Sequence, residues 1–177
     1  FIIGSVGRIA TEKSFDSLIE SSKELIKENK KIKIIIVGDG PELEHLKELS
    51  KNLKIDKNVI FTGKVKYDLI PSFYNLFDIV VSFSTTETQG LTIIEALASG
   101  KPVLCINDES FQKMITSSYN GYLFKDGKEY QKLAKKIMES FTLYHYLSNN
   151  AYQSVKEYSK ETFGKRVLEV YKKAIRN

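Results

Sequence analysis

The sequence is poor in the residues that usually form metal sites, disulfides and membrane spans. It contains one cysteine, two histidines and no tryptophan. A lone cysteine excludes a disulfide within the chain, and the place of Cys105 in a predicted buried strand favours a core thiol in a reducing compartment. No group of His, Cys and Asp has metal-ligand spacing, and no apolar run approaches the roughly 20 residues of a membrane span. We therefore expect a cytoplasmic protein without a bound metal or cofactor.

The charged residues narrow the range of partners. The formal net charge is +5, and only three of the 27 basic residues are arginines. Lysines scattered over helix exteriors usually form a solvated face. No basic stripe interleaved with aromatic residues is present, so we expect no nucleic-acid partner. A basic surface also attracts anionic lipid, which leaves open a peripheral contact with the inner face of a membrane.

Strand-like and helix-like segments alternate along the whole chain. The runs at residues 34–37 and 79–83 are apolar on both faces, as expected of parallel strands covered by helices. Further strands are predicted at 2–6, 59–62, 103–106 and 122–124, with helices at 15–26, 41–53, 71–77, 91–99, 111–115, 130–141, 144–158 and 162–175. This order predicts an α/β fold in one domain, residues 1–177: a doubly wound, mainly parallel six-stranded sheet, Rossmann-like, with C-terminal helices. Ligands of such sheets bind at the carboxyl ends of the strands.

Residues 82–104 carry the most informative pattern. A predicted strand leads into a loop, and a helix begins after Gly90; Gly100 then ends that helix. The unpaired amides and the positive dipole end at a helix start suit a phosphate. Seven residues separate Glu87 in the loop from Glu95, which lies about one turn into the helix. Glu95 can accept from both hydroxyls of a ribose, and Glu87 can hold hydroxyls beyond a diphosphate. The pair predicts a nucleotide-sugar site.

Two basic residues lie just beyond the first predicted strand. Taken alone, Arg8 and Lys13 are an ordinary surface arginine and the first lysine of a helix. With the two acids downstream we favour a second interpretation, in which both neutralise the charge that grows on a diphosphate as a glycosidic bond breaks. The Gly-Asp-Gly segment at 38–40 predicts a tight turn, because the third glycine of a dinucleotide fingerprint is absent.

The segment 82–104 resembles the Glu-x7-Glu signature of the retaining glycosyltransferases of family 4, which have the GT-B fold. The resemblance continues along nearly the whole chain, in the order and spacing of the family's motifs. The matching stretches are VGRI at 6–9 with Lys13, GDGP at 38–41, VIFTG at 59–63 and NGYLF at 120–124. They cover one half of such an enzyme, the carboxy-terminal half that binds the donor. The resemblance thus implies an N-terminal acceptor domain in the same polypeptide, outside this sequence.

The resemblance also implies roles for single residues. The implied catalytic residues are Arg8, Lys13 and Glu87. The implied nucleotide-binding residues are Gly7, Val65, Gly90, Leu91, Thr92 and Glu95. The amides at the start of the helix after Gly90 would cradle the distal phosphate, Glu95 would bind the ribose, and the segment near Val65 would contact the base. The donor substrate is then a UDP-sugar, and no metal is expected.

Three departures from the family pattern affect the substrate. Gly-Phe usually follows the first glutamate, where this sequence has Thr88-Gln89; a Gly-Gly loop is replaced by Glu109-Ser110, with Lys113 for a glutamate, and a proline by Phe83. The first two changes lie near the donor sugar and leave its identity open. The stretches TETQGLT at 86–92 and DESF at 108–111 resemble the bacterial branch that glycosylates diacylglycerol.

The expected activity of the full-length protein is therefore transfer of a hexose from a UDP-sugar to a lipid or glycan acceptor. This chain alone is expected to bind the nucleotide without transfer. A sugar-nucleotide epimerase of GT-B fold and a non-catalytic nucleotide-sugar binding module are the alternatives. The joint presence of Arg8, Lys13, Glu87 and Glu95 argues against the binding module, because a relic has no physical reason to keep all four.

Overall fold

One six-stranded sheet forms the centre of the computed structural model, which describes residues 1–87 and 89–176. Neighbouring strands run parallel in the order β3-β2-β1-β4-β5-β6. The strands are β1 (Ile2–Val6), β2 (Lys33–Val37), β3 (Val59–Phe61), β4 (Ile79–Ser82), β5 (Val103–Ile106) and β6 (Gly121–Phe124). The predicted sheet is confirmed, and all of its strand pairs are parallel.

The sheet is buried on both faces. In β2, Ile34 and Ile36 belong to one hydrophobic cluster, whereas Ile35 and Val37 belong to a second cluster. Successive side chains of a strand point to opposite faces, so the two clusters are the two sides of the sheet. This double burial explains why the strand sequences show no alternation of apolar and polar residues.

Helices cover both faces. Within the described residues the α-helices are α1 (Phe15–Glu28), α2 (Leu43–Asn52), α3 (Ile70–Leu76), α4 (Leu91–Ala98), α5 (Glu109–Gln112), α6 (Gly127–Glu139), α7 (Phe141–Ser154) and α8 (Lys160–Arg176). Helices α1, α2 and α6 pack in the first cluster, α3, α4 and α5 in the second, and α7 contributes Leu147 to one and Ala151 to the other. The fold is therefore doubly wound.

Capping residues move several helix boundaries away from the sequence prediction. Asp108 accepts from the Ser110 amide at 3.0 Å, so α5 begins two residues before the predicted start at 111. Asp126 accepts from the Glu129 amide at 2.9 Å and starts α6 at Gly127. The predicted start of α2 at Pro41 is wrong: residues 41 and 42 form a turn, and the helix starts at Leu43. These side-chain caps satisfy amides that a helix start leaves unpaired.

The last helix, α8, packs little against its own domain. None of its side chains from residue 160 to 175 is buried. Phe163, Val170, Tyr171 and Ile175 are all exposed, and their spacing places them along one side of the helix. In the described part of the chain, no helix combines the length and the apolar character needed to cross a bilayer.

The strand order reverses between β1 and β4. Strands β2 and β3 extend from β1 to one side, and β5 and β6 extend from β4 to the other. At such a switch point the loops that follow the two central strands diverge and leave a crevice at the carboxyl edge of the sheet. Gly7 and Arg8 follow β1, and the loop that leads to Gly90 follows β4, so the motifs found in the sequence meet at this edge.

Candidate functional site

The loop after β1 forms one wall of a groove at the carboxyl edge of the sheet, over the ends of β1, β2 and β3. The groove has a volume of about 290 Å³, and Gly7, Arg8, Lys64 and Val65 are among the residues that line it. The Gly7 amide donates to the Val37 carbonyl at 3.0 Å, which ties this loop to the end of β2. The Arg8 side chain is exposed. The structure thus brings together three of the predicted residues, Gly7, Arg8 and Val65, from two separate loops.

The Gly-Asp-Gly segment at 38–40 lets two turns approach each other closely. A Cβ at Gly38 would lie 1.9 Å from the Gly7 carbonyl oxygen, and one at Gly40 would lie 2.1 Å from the Ile9 carbonyl oxygen. Both contacts are with backbone, which cannot move aside as a flexible side chain can. The glycines are therefore required for the packing of the β2 turn on the β1 turn, which agrees with the predicted tight turn.

Lys13 and Glu87 form an ion pair across the crevice. The Lys13 Nζ lies 2.5 Å from Glu87 Oε2, and the two side chains are 24% and 16% exposed. The Ser84 hydroxyl donates to the Glu12 carbonyl at 3.2 Å, so a hydrogen bond from a side chain to the backbone also joins the same two loops. Residues that are remote in sequence thus meet at the carboxyl edge of the sheet, as the sheet rule predicted.

Helix α4 starts at the same edge of the sheet. Gly90 precedes the helix in the left-handed conformation with φ +60°, which residues with a Cβ adopt only at a cost. Leu91 is exposed and Thr92 is half-buried. Thr92 also lines the small cavity at the Lys13–Glu87 pair. The first amides of a helix have no partner within the helix, so the start of α4 presents donors beside this pair.

Glu95 is held by two tyrosines. The Tyr67 hydroxyl donates to Glu95 Oε1 at 3.1 Å, and the Tyr74 hydroxyl lies 3.0 Å from Oε2. These three residues line a pocket of about 210 Å³ together with Ile70. Burial, followed by the charge of Glu95, raises the pKa of Tyr74 well above its usual range. The hydrogen bond to Glu95 raises the pKa of Tyr67. The sequence analysis assigned no role to either tyrosine.

The three cavities adjoin one another. Val6 lines both the Lys13–Glu87 cavity and the groove at Arg8, and Ile70 lines both that groove and the pocket at Glu95. The predicted residues therefore lie along one continuous edge of the sheet. Within the described ranges 1–87 and 89–176, no ion pair joins Arg8 to either acid.

Four further features of the sequence concern the lone cysteine, metal ligands and two departures from the family pattern. Cys105 is fully buried, as expected, and burial, followed by the charge of Glu87, raises the pKa of its thiol well above the usual value. The described part of the chain contains no cluster of three or more metal-ligating side chains. Phe83, which stands where the family has a proline, packs against Phe124 with ring centroids 4.7 Å apart. Thr88, one of the departures from the family pattern, lies outside the described residues.

Comparison with known proteins shows the family. The profile of the family Glycosyl transferases group 1 matches residues 1–162, so this chain belongs to that family. It is 38% identical over 176 residues to the alpha-monoglucosyldiacylglycerol synthase of Streptococcus pneumoniae (strain ATCC BAA-255 / R6), an alignment that covers 97% of this chain and 38% of that protein. The chain thus spans well under half the length of this relative.

Solved structures confirm the fold. The C-terminal domain of the group 1 glycosyl transferase LpcC from Francisella tularensis matches with a TM-score of 0.80 and 29% identity, over 88% of this chain and 84% of that one. Anabaena HepE in complex with UDP matches with a TM-score of 0.89 and 23% identity, over 98% of this chain and 49% of that one. The six-stranded sheet with its flanking helices is therefore the Rossmann-like half of a GT-B fold.

Proposed function

We propose that this chain is the donor-binding domain of a retaining hexosyltransferase and that it binds a UDP-sugar. The observation that carries the proposal is the meeting of Lys13, Glu87 and the start of α4 at the switch point, with Glu95 in an adjoining pocket. A cation and helix amides on one side of a sugar-facing acid suit a diphosphate. The similarity to HepE, whose structure contains UDP, supports a uridine nucleotide.

Each residue would act on one part of the donor. Arg8, Lys13 and the amides of Gly90, Leu91 and Thr92 would bind the diphosphate and neutralise the charge of the leaving group. Glu95 would accept hydrogen bonds from the ribose hydroxyls, and Glu87 would hold the sugar. The groove between Gly7 and Val65 would take the base through backbone contacts. In this arrangement no metal takes part, because the two basic side chains and the helix start supply the positive charge.

The transfer itself would need groups outside this chain. The acceptor and the remaining catalytic groups would belong to an N-terminal domain of the same polypeptide. Retention would proceed with departure of the leaving group and attack of the acceptor on the same face, the leaving phosphate taking the acceptor's proton. The 38% identity to an alpha-monoglucosyldiacylglycerol synthase favours diacylglycerol as the acceptor. With such an acceptor the full-length protein would make a peripheral contact with a membrane, and we propose that this contact is at the cytoplasmic face.

Calorimetric titration of UDP and UDP-glucose into the 177-residue chain tests the proposal. Arg8→Ala and Glu95→Ala should each weaken UDP binding by roughly tenfold or more, because each removes the hydrogen bonds that a charged side chain makes with the nucleotide. Arg166→Ala is the matched control, because Arg166 is also an exposed arginine and pairs with Glu157 on the C-terminal segment. Unchanged UDP affinity in the Arg8 and Glu95 variants would refute the site.

A further inference from the structure

The two tyrosines that contact Glu95 differ sharply in burial. Tyr74 is 1% exposed and Tyr67 is 80% exposed. Tyr74 lies on α3, where its ring packs edge-on against Phe77 with centroids 6.0 Å apart. Tyr67 lies on a single 3-10 turn that precedes α3. One hydrogen bond to Glu95 therefore comes from a fixed group, and the other comes from a side chain that can move into solvent.

The hydroxyl of Tyr74 also connects two helices. It lies 2.9 Å from the Thr92 carbonyl and 3.0 Å from Glu95 Oε2, so its single proton faces two acceptors on α4. A phenol is protonated in neutral solution, and burial, followed by the charge of Glu95, moves the pKa of Tyr74 further upward, so the hydroxyl keeps its capacity to donate. A carboxylate that accepts from a buried donor loses rotational freedom before any ligand arrives.

We propose that Tyr74 is a positioning residue that holds the Glu95 carboxylate ready for the ribose hydroxyls of the donor, and that Tyr67 is displaced from Glu95 when the ribose binds. The inference rests on the proposed function, since it assumes that Glu95 receives the ribose. When the ribose binds, one of its hydroxyls would replace the Tyr67 hydroxyl, which lies 3.1 Å from Glu95 Oε1. The exposed Tyr67 side chain would then lose its hydrogen bond to Glu95, and its hydroxyl would hydrogen-bond to solvent.

Tyr74→Phe and Tyr67→Phe are a matched pair, because each removes the hydroxyl that contacts one of the two oxygens of the Glu95 carboxylate. Tyr74→Phe should weaken UDP binding roughly five- to tenfold, because the loss of one charge-assisted hydrogen bond leaves Glu95 free to rotate. Tyr67→Phe should leave the affinity unchanged or raise it up to about threefold, because it removes a competitor for Oε1. Calorimetric titration measures both. Equal weakening by both variants, or none by Tyr74→Phe, would overturn the inference.

A second ligand separates positioning from general loss of structure. With 2′,3′-dideoxy-UDP the penalty of Tyr74→Phe should vanish, because the ribose hydroxyls that Glu95 would receive are absent. A penalty of the same size for both ligands would mean that Tyr74 acts only on the fold and would overturn the inference. Tyr130→Phe is the control for a buried tyrosine, since its hydroxyl is hydrogen-bonded to Ser22 at 2.8 Å, away from the site, and should leave UDP affinity unchanged.

The same titrations distinguish the inference from the proposed function. If the unmodified chain does not bind UDP, or if Glu95→Gln binds UDP and dideoxy-UDP with the unmodified chain's preference, the ribose role of Glu95 fails and both proposals are overturned. If Glu95→Gln loses the preference for UDP but Tyr74→Phe keeps it in full, the proposed function stands and the positioning role of Tyr74 is wrong.

Discussion

Replacing Glu87 with glutamine removes one charge from the ion pair with Lys13. The side chains of Lys13 and Glu87 are 24% and 16% exposed, so the pair is neither fully exposed nor fully buried. Exposed pairs contribute about 0–1 kcal/mol, whereas removal of one partner from a buried pair costs about 3–5 kcal/mol. We therefore expect Glu87→Gln to lower the free energy of unfolding by about 2 kcal/mol. For a domain of this size that loss lowers Tm by roughly 4–8 °C.

The same substitution should improve the binding of a diphosphate. Without Glu87, the ammonium of Lys13 has lost its countercharge, and the phosphates of UDP can supply a new one. We expect UDP to bind the variant about three- to tenfold more tightly than the unmodified chain. A ligand stabilises the folded state more when it binds more tightly, so UDP should raise the Tm of the variant more and narrow the Tm difference between the two chains. UDP is the appropriate ligand here, since the proposed contact of Glu87 with a sugar is then not involved.

Thermal unfolding with and without UDP, together with calorimetric titration, checks both parts. Glu157→Gln is the matched control, because its partner Arg166 and Glu157 itself are 62% and 58% exposed, and we expect its cost to stay below about 1 kcal/mol. An unchanged unfolding temperature for Glu87→Gln would show that the ion pair does not stabilise the fold. A Tm difference that UDP leaves unchanged would show that Glu87 does not compete with the diphosphate for Lys13.

Two further predictions concern single positions near the site. Gly90→Ala should lower the free energy of unfolding by about 1–2 kcal/mol, because φ is +60° and the new Cβ would lie 2.2 Å from Met114 Cε; an unchanged midpoint in urea would contradict this. Cys105 should resist thiol reagents in the folded chain at pH 8, since burial and Glu87 raise its pKa. The unfolded thiol ionises near pH 8.5 and the folded thiol only at higher pH, so stability is fully present below about pH 8.5 and falls as the pH rises. Cys105→Ala should lack this component of the alkaline loss, and an equal loss in that variant would contradict the assignment.

The central sheet was predictable because its cause is local in the sequence. Runs such as residues 34–37 are apolar at every position, and their short length before a Gly-Asp-Gly turn favours a strand buried on both faces over a helix. The helix starts were less accurate, because caps such as Asp108 and Asp126 depend on whether a side chain reaches a particular amide. That contact is decided by the loop conformation, which the apolar pattern does not report.

The site was predictable in outline for a different reason. The doubly wound rule brings Lys13 and Glu87 to one edge of the sheet even though they lie far apart in sequence, and the ion pair confirms the meeting. The tyrosines at Glu95 could not be found in this way. Their contacts depend on how α3 lies against α4, and single tyrosines at 67 and 74 have no motif or spacing that marks them.

The scarcity of contacts along α8 has a consequence for the shape of its melting curve. An isolated helix of 17 residues is only marginally stable in water, since nucleation is costly and propagation adds little per residue. Its helix–coil equilibrium is therefore nearly uncoupled from the cooperative unfolding of the sheet. The ellipticity of these residues should drift gradually on heating, before the main transition, and should sharpen only when another surface covers the side that carries Phe163 and Val170.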